Sequence, residues 1–181
     1  APSEMCIRDR SGPIDRYKRF VKDDKKVPSG AEYRELVVKA IHMIMLGFLY
    51  KYIIAYLIQT YAVNPLQLNL HGFTHMWLYM YAYSLYLFFD FAGYSLMAVG
   101  SSNILGIKTP MNFNKPFLSI DIKDFWNRWH ITLSTWLRDF IFSRIVMKSM
   151  RHKWFKTRLT TAMVAYMLNM IFMGFWHGLS W

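Results

Sequence analysis

Three stretches of this sequence are too long and too continuously apolar to be the interior of a water-soluble domain. The first is Leu36–Ile58, LVVKAIHMIMLGFLYKYIIAYLI; the second is Phe73–Val99, rich in Tyr, Phe and Leu; the third begins at Leu159 and runs to Trp181. A helix needs roughly 20 largely apolar residues to cross the hydrocarbon of a bilayer. Each stretch supplies that length. Lipid offers backbone N–H and C=O groups no partner, so a chain crosses it either as helices or as a closed barrel. These runs are too long for barrel strands. They predict an all-α, multi-pass transmembrane protein with re-entrant or in-plane amphipathic helices between the spans.

The polar residues inside the runs are as informative as the runs themselves. Lys39 can snorkel to an interface, but Lys51 lies deeper, and Asp90 interrupts the second run. Asp90 is a candidate partner for Lys51 or a group lining an internal path. The pattern leaves both open. Gln59–Gly72 contains Asn64-Pro65 and no Lys or Arg, which reads as a loop. Gly100–Asp121 carries Gly100, Gly106, Pro110 and Pro116 and cannot be one continuous helix.

The net charge of +11 could by itself suggest nucleic acid or an anionic membrane surface. Its distribution decides for the membrane. Arg138–Arg158 holds seven Lys or Arg against the single acidic Asp139, whereas Gln59–Gly72 holds no basic residue. By the positive-inside rule the first segment is cytoplasmic and the second outside. Gly100–Arg158 then forms a cytoplasmic or re-entrant region, and the third span runs outward. No nucleic-acid partner is needed to explain the charge.

The ends are read more simply. Ala1–Arg10 differs in character from the segment after it and is expected to be a foreign or misassembled leader. It contains the only cysteine, Cys6, so no disulfide or cysteine metal site forms within the chain. Ser11–Glu35 is charged and reads as an interfacial segment with short helical pieces. The domain proper is expected over residues 11–181, its third span cut short at Trp181 and the whole an internal part of a larger helical ring.

Two histidines are candidate chemical groups. In Asp124–Phe140, DFWNRWHITLSTWLRDF, helical spacing puts Trp126, Trp129, Leu133, Trp136, Leu137 and Phe140 largely on one side. Arg128, Thr132, Thr135 and Asp139 fall on the other. Read as one in-plane or re-entrant helix, this segment places His130 on the apolar-facing side. There it is either a histidine hydrogen-bonded into the core or a reactive imidazole lining a cavity. His177 follows MLNMIFMGFW, where an ionisable side chain is costly and normally lines an internal path or pairs with a partner. Gly174 and Gly178 beside it permit close helix contact. A neutral imidazole could take a proton from an acceptor hydroxyl as that oxygen attacks a thioester carbonyl. Other chemistries find no support: there is no P-loop, dinucleotide glycine fingerprint, HExxH or GxSxG. His71 and His75, four apart, lack an evident third ligand and read as surface or interface histidines. Neither a metal nor a bound cofactor is expected.

FFDFAGYS (Phe88–Ser95), NFNKPF (Asn112–Phe117), DFWNRWHITLSTWLRDF and MGFWHG (Met173–Gly178) follow one another as in the membrane-bound O-acyltransferases, which this chain resembles from about Ser11 to Trp181. Within that family it is most similar to the branch that transfers D-alanine to teichoic acids. SGPIDRYKRF (Ser11–Phe20) and RDFIFSRIVMKSMRHKWFK (Arg138–Lys156) resemble that branch more than the alginate O-acetylating one. The resemblance implies that His177 is the essential histidine and His130 the second histidine of a tunnel. It implies a donor carried as a phosphopantetheine thioester by a D-alanyl carrier protein at the cytoplasmic face. It implies lipoteichoic acid as acceptor outside, and a bacterial cell membrane as the setting. Because the family has further spanning helices on each side of this region, the 181 residues alone are expected to be inactive. The alternatives are a polysaccharide O-acetyltransferase and, more remotely, a non-enzymatic transporter or scaffold.

Overall fold

The computed structural model describes residues 13–15, 19–21, 28–68 and 72–177, which fall into two compact units dividing after Asn114. The proposed leader over residues 1–10, and His71, lie outside the described residues. Among the described residues, three helices are long and apolar enough to cross a membrane: Gly30–Leu68, Phe73–Ile104 and Arg158–Phe175. The all-α architecture with three apolar spans agrees with the sequence; several boundaries do not.

In the first unit, α1 spans Gly30–Leu68. It opens on a capping box: Ser29 Oγ accepts from the Glu32 N–H at 3.3 Å, and the Glu32 carboxylate accepts from the Ser29 N–H at 3.1 Å. Two N–H groups that the helix itself cannot satisfy are thereby paired. The loop expected over Gln59–Gly72 is instead helical as far as Leu68. Proline removes one donor and crowds the carbonyl four residues earlier, which usually ends a helix. Here a π-helical turn, Gln59–Val63, immediately precedes Asn64-Pro65. Its wider winding carries that crowding without ending the helix. A second π-helical stretch, Leu49–Ala55, contains Lys51.

Helix α2, Phe73–Ile104, packs against α1 through small residues. Ala40, Met43, Gly47 and Ala55 lie on one helical row, at spacings of three, four and eight, and are buried, facing Ala92, Gly93, Ser95, Val99 and Gly100. A Cβ placed on Gly93 would lie 2.7 Å from both the Gly47 oxygen and the Lys51 nitrogen, and one on Gly100 would lie 2.9 Å from the Ala40 oxygen. The backbones themselves touch, which is how helices gain dispersion contact where lipid removes the hydrophobic drive. Gly100 is therefore a packing position inside α2. The expected break comes later, at Gly106, which takes φ 77°. On the opposite face of α1, Val38, Ile41, Met45, Phe48, Tyr52 and Tyr56 form an exposed apolar row at the same spacing, suited to lipid. Lys51 falls on the buried row and makes an ion pair with Asp90 of α2. Of the two readings of Asp90, the structure shows the partner.

The second unit begins with a short 3-10 turn, Pro116–Leu118. It continues through α3 (Ile122–Arg128), α4 (Ile131–Leu137), a π-helical turn (Arg138–Phe142), α5 (Ser143–His152) and α6 (Arg158–His177). Helix α5 ends at Lys153 in the left-handed region, with Arg151 and His152 in its last turn where the helix dipole favours cations. Along α6, Leu159, Met163, Met167, Ile171 and Phe175 are exposed every fourth residue, while Thr161 and Ala165 are buried on another face. The close helix contact expected at Gly174 is not made among the described residues, since a Cβ there meets nothing within 4 Å; Gly178 lies outside them.

Candidate active site

The segment expected to be one amphipathic helix is two helices joined at Trp129–His130. Asp121 starts α3 by accepting the Asp124 N–H at 2.6 Å. The Asp124 carboxylate in turn accepts from Arg128 Nε at 2.8 Å and from the Ile120 N–H at 3.3 Å. The Arg128 guanidinium, through that hydrogen bond, holds the Asp124 carboxyl below the usual carboxylate range. Trp129 is then extended (φ −99°, ψ 125°) and His130 left-handed (φ 44°, ψ 53°). A non-glycine residue there costs about 1–2 kcal/mol, so neighbours must hold it. The Trp129 N–H donates to the Phe125 oxygen at 2.8 Å, the Ser134 N–H to the His130 oxygen at 2.9 Å, and Ser134 Oγ to the Trp129 oxygen at 3.2 Å. The Trp129 ring stacks on Phe125 with centroids 5.5 Å apart and meets Phe117 edge-on at 6.2 Å.

The break corrects the face assignment. A turn at His130 resets the helical register, so Thr132, placed by a single helix on the polar side, is buried with Leu133 and Leu137. His130 is itself buried, 6% exposed.

Between α3, α4 and α6 lies a cavity of about 710 Å³. Trp126 and Asn127 line it from α3, Ser134 and Thr135 from α4, Arg138 from the π-helical turn, and Tyr166, Asn169 and Met173 from α6. His130 shapes the turn between two of these walls but is not itself a lining residue. The side chain of His177 lies outside the described residues; its backbone continues α6. On that helix Thr161, Ala165, Asn169, Met173 and His177 follow one another at a spacing of four, a single row. Two of its members line the cavity. The register thus carries His177 one turn beyond the lining residue Met173.

The remaining candidates are dispersed. Among the described residues no three His, Cys, Asp or Glu side chains are grouped so as to hold a metal ion. A second cavity, about 420 Å³, belongs to the first unit and is lined by Glu32, Glu35, Lys39, Lys108 and Asn103, without histidine. Sequence reasoning missed Asn169. Its Oδ1 is buried and meets no hydrogen-bond donor among the described residues. The signal was present: one carboxamide within the apolar run LNMIFMG, on the row that leads to His177.

The membrane-bound O-acyltransferase family model matches residues 11–181. This chain belongs to the membrane-bound O-acyltransferase family. It is 54% identical over 175 residues to the teichoic acid D-alanyltransferase of Bacillus subtilis and 51% identical over 180 residues to that of Lacticaseibacillus rhamnosus. Both alignments cover 94% of this chain but only 43% and 44% of those relatives, so the chain spans well under half of their length. A probable alginate O-acetylase of Azotobacter vinelandii is 39% identical over 137 residues, covering 76% of this chain and 26% of the relative.

Proposed function

We propose that the complete protein is a bacterial plasma-membrane enzyme that transfers D-alanine from a phosphopantetheine thioester on a carrier protein to hydroxyl groups of lipoteichoic acid. The observation that carries acyl transfer is the α6 row that runs from the cavity-lining Asn169 and Met173 to His177. D-alanine rather than acetate as the transferred group is supported by identities of 50–54% over 94% of the chain to teichoic acid D-alanyltransferases, against 39% over 76% to an alginate O-acetylase.

In this reading His177 is the general base. Its imidazole takes the acceptor O–H proton while the oxygen attacks the thioester carbonyl; the C–S bond breaks and the sulfur leaves as the thiol with that proton. His130 is a positioning partner, and its left-handed backbone supports the role, because strain of this kind concentrates where a site needs it. The basic Arg138–Arg158 segment supplies charge complementarity for an acidic carrier at the cytoplasmic face. No cofactor is held by the protein; the phosphopantetheine arm is substrate.

The test is the D-alanine ester content of teichoic acids in cells lacking the activity and complemented with the complete gene. Wild type is expected to restore the esters and His177→Ala to leave them at background, at equal membrane levels. His130→Gly, which relieves the backbone strain while removing the imidazole, is expected to lower transfer at least tenfold without loss of folded protein. Full esterification by His177→Ala would remove the base from the scheme. No restoration by wild type, together with acetylation of a polysaccharide, would turn the reading to O-acetyl transfer.

A further inference from the structure

The cavity of about 420 Å³ in the first unit takes no part in that chemistry, and its lining carries charge of both signs. Glu32, Glu35 and Lys39 come from the first three turns of α1, Asn103 from the last turn of α2, and Lys108 from the chain just beyond. Two carboxylates and two ammonium groups thus surround one space. Glu32 is engaged with Ser29 in the capping box, but Glu35, Lys39 and Lys108 make no ion pair among the described residues. At i and i+4, Glu35 and Lys39 are spaced to join along the helix surface, yet they do not. One turn further into each span the lining turns apolar, at Met43 and Val99. Asn103, 5% exposed, donates through Nδ2 to the Met43 sulfur at 3.7 Å, and no donor among the described residues meets its Oδ1. Sulfur is a weak acceptor and a carboxamide oxygen accepts only, so this nearly buried side chain still has an acceptor to offer. An isolated anion would face the two carboxylates, and an isolated cation the two ammonium groups. A zwitterion answers both.

We propose that this cavity binds the headgroup of a zwitterionic aminophospholipid. The phosphate lies against Lys39 and Lys108, and the primary ammonium donates to Glu35 and to Asn103 Oδ1. Position favours a lipid over a soluble zwitterion. The cavity lies at the ends of two apolar spans, where headgroups meet the hydrocarbon, and Val38, Ile41 and Leu105 are exposed apolar side chains of the same two span ends. A more open groove of about 550 Å³ shares Glu35 and Lys39 with the cavity and is lined also by Arg34, Val38 and His42, which gives an acyl chain a path along α1. A headgroup held there fixes the depth of the α1–α2 hairpin in its leaflet.

The experiment takes the complete protein, delipidated in mild detergent, and follows binding by native mass spectrometry. The probes are phosphatidylethanolamine, phosphatidylglycerol and soluble phosphoethanolamine. Wild type is expected to bind one phosphatidylethanolamine about fivefold or more tightly than phosphatidylglycerol, the scale of one solvent-screened charge contact, and phosphoethanolamine far more weakly than either lipid. Lys108→Gln and Glu35→Gln, both at exposed positions, are each expected to weaken phosphatidylethanolamine about fivefold with the fold intact. Glu35→Gln is also expected to abolish the preference over phosphatidylglycerol, because only the ammonium needs that carboxylate. Asn103→Leu is expected to weaken phosphatidylethanolamine about tenfold; if this buried substitution does not fold, the two exposed variants decide. Equal wild-type affinity for the two lipids, or exposed variants that both bind phosphatidylethanolamine as wild type does, overturns the site. Phosphoethanolamine bound as tightly as the lipid overturns the membrane as the source of the ligand.

Discussion

The ion pair between Lys51 and Asp90 invites a double-mutant cycle, because both side chains sit in helices that read as spans and only one geometry joins them. An unpaired Lys or Asp near the centre of a spanning helix costs about 2.5–3.5 kcal/mol on insertion scales. Removing one partner of a fully buried pair costs about 3–5 kcal/mol. Here the side chains are 25% and 34% exposed, which places the expectation at the lower end. Asp90→Asn and Lys51→Met should each destabilise the complete protein by about 2–3 kcal/mol, since each leaves one charge alone. The double variant should cost about 1 kcal/mol or less, because no charge is then stranded and the Gly47–Gly93 contact does not depend on either side chain. The resulting coupling, about 3–5 kcal/mol, exceeds the roughly 0.6 kcal/mol average of neutral interhelical hydrogen bonds. Reversible unfolding in mixed detergent micelles, followed by helical circular dichroism, measures all four corners. Additive single effects, with the double variant as unstable as their sum, would refute the reasoning: the charges would then be solvated separately and the hairpin held by packing alone.

Two further outcomes come from the packing and the charges. Gly93→Ala forces a methyl group against the Gly47 oxygen and the Lys51 nitrogen at 2.7 Å and should cost about 1–3 kcal/mol, whereas Gly174→Ala, with nothing within 4 Å, should be neutral or stabilising by up to about 1 kcal/mol; the same unfolding measurement ranks them, and equal effects would contradict the close crossing. Asp124, its carboxyl held low by the Arg128 hydrogen bond, contributes stability that is present above the unfolded carboxylate value of about 3.9 and is lost as pH falls through its lower folded value. Asp124→Asn should therefore melt earlier than wild type near neutral pH, with the difference closing below about pH 4; a gap that persists unchanged to pH 3 would mean that the carboxylate charge plays no part.

How far these features could be read from the sequence depends on whether their cause is local. The apolar runs are local and were legible, because lipid leaves a chain of that length few backbone options. The extent of α1 was not. Asn64-Pro65 carries a strong turn signal, and only the π-helical winding just before it lets the helix continue. The same limit explains the error at His130. The periodicity of DFWNRWHITLSTWLRDF fits one amphipathic helix, and histidine, though enriched among left-handed non-glycine residues, is far too weak a cue to outweigh it; the break is held by Ser134, Phe125 and Phe117 acting on Trp129. The Lys51–Asp90 pair was legible as two unexplained charges but not as a pair, because distance along the sequence says nothing of which faces meet. Asn169 shows the opposite case. It was legible by the argument that singled out His177, a polar group in an apolar run at a spacing of eight on the same helix row. Asparagine attracts less suspicion than histidine because it carries no charge, although a carboxamide within an apolar run is costly for the same reason.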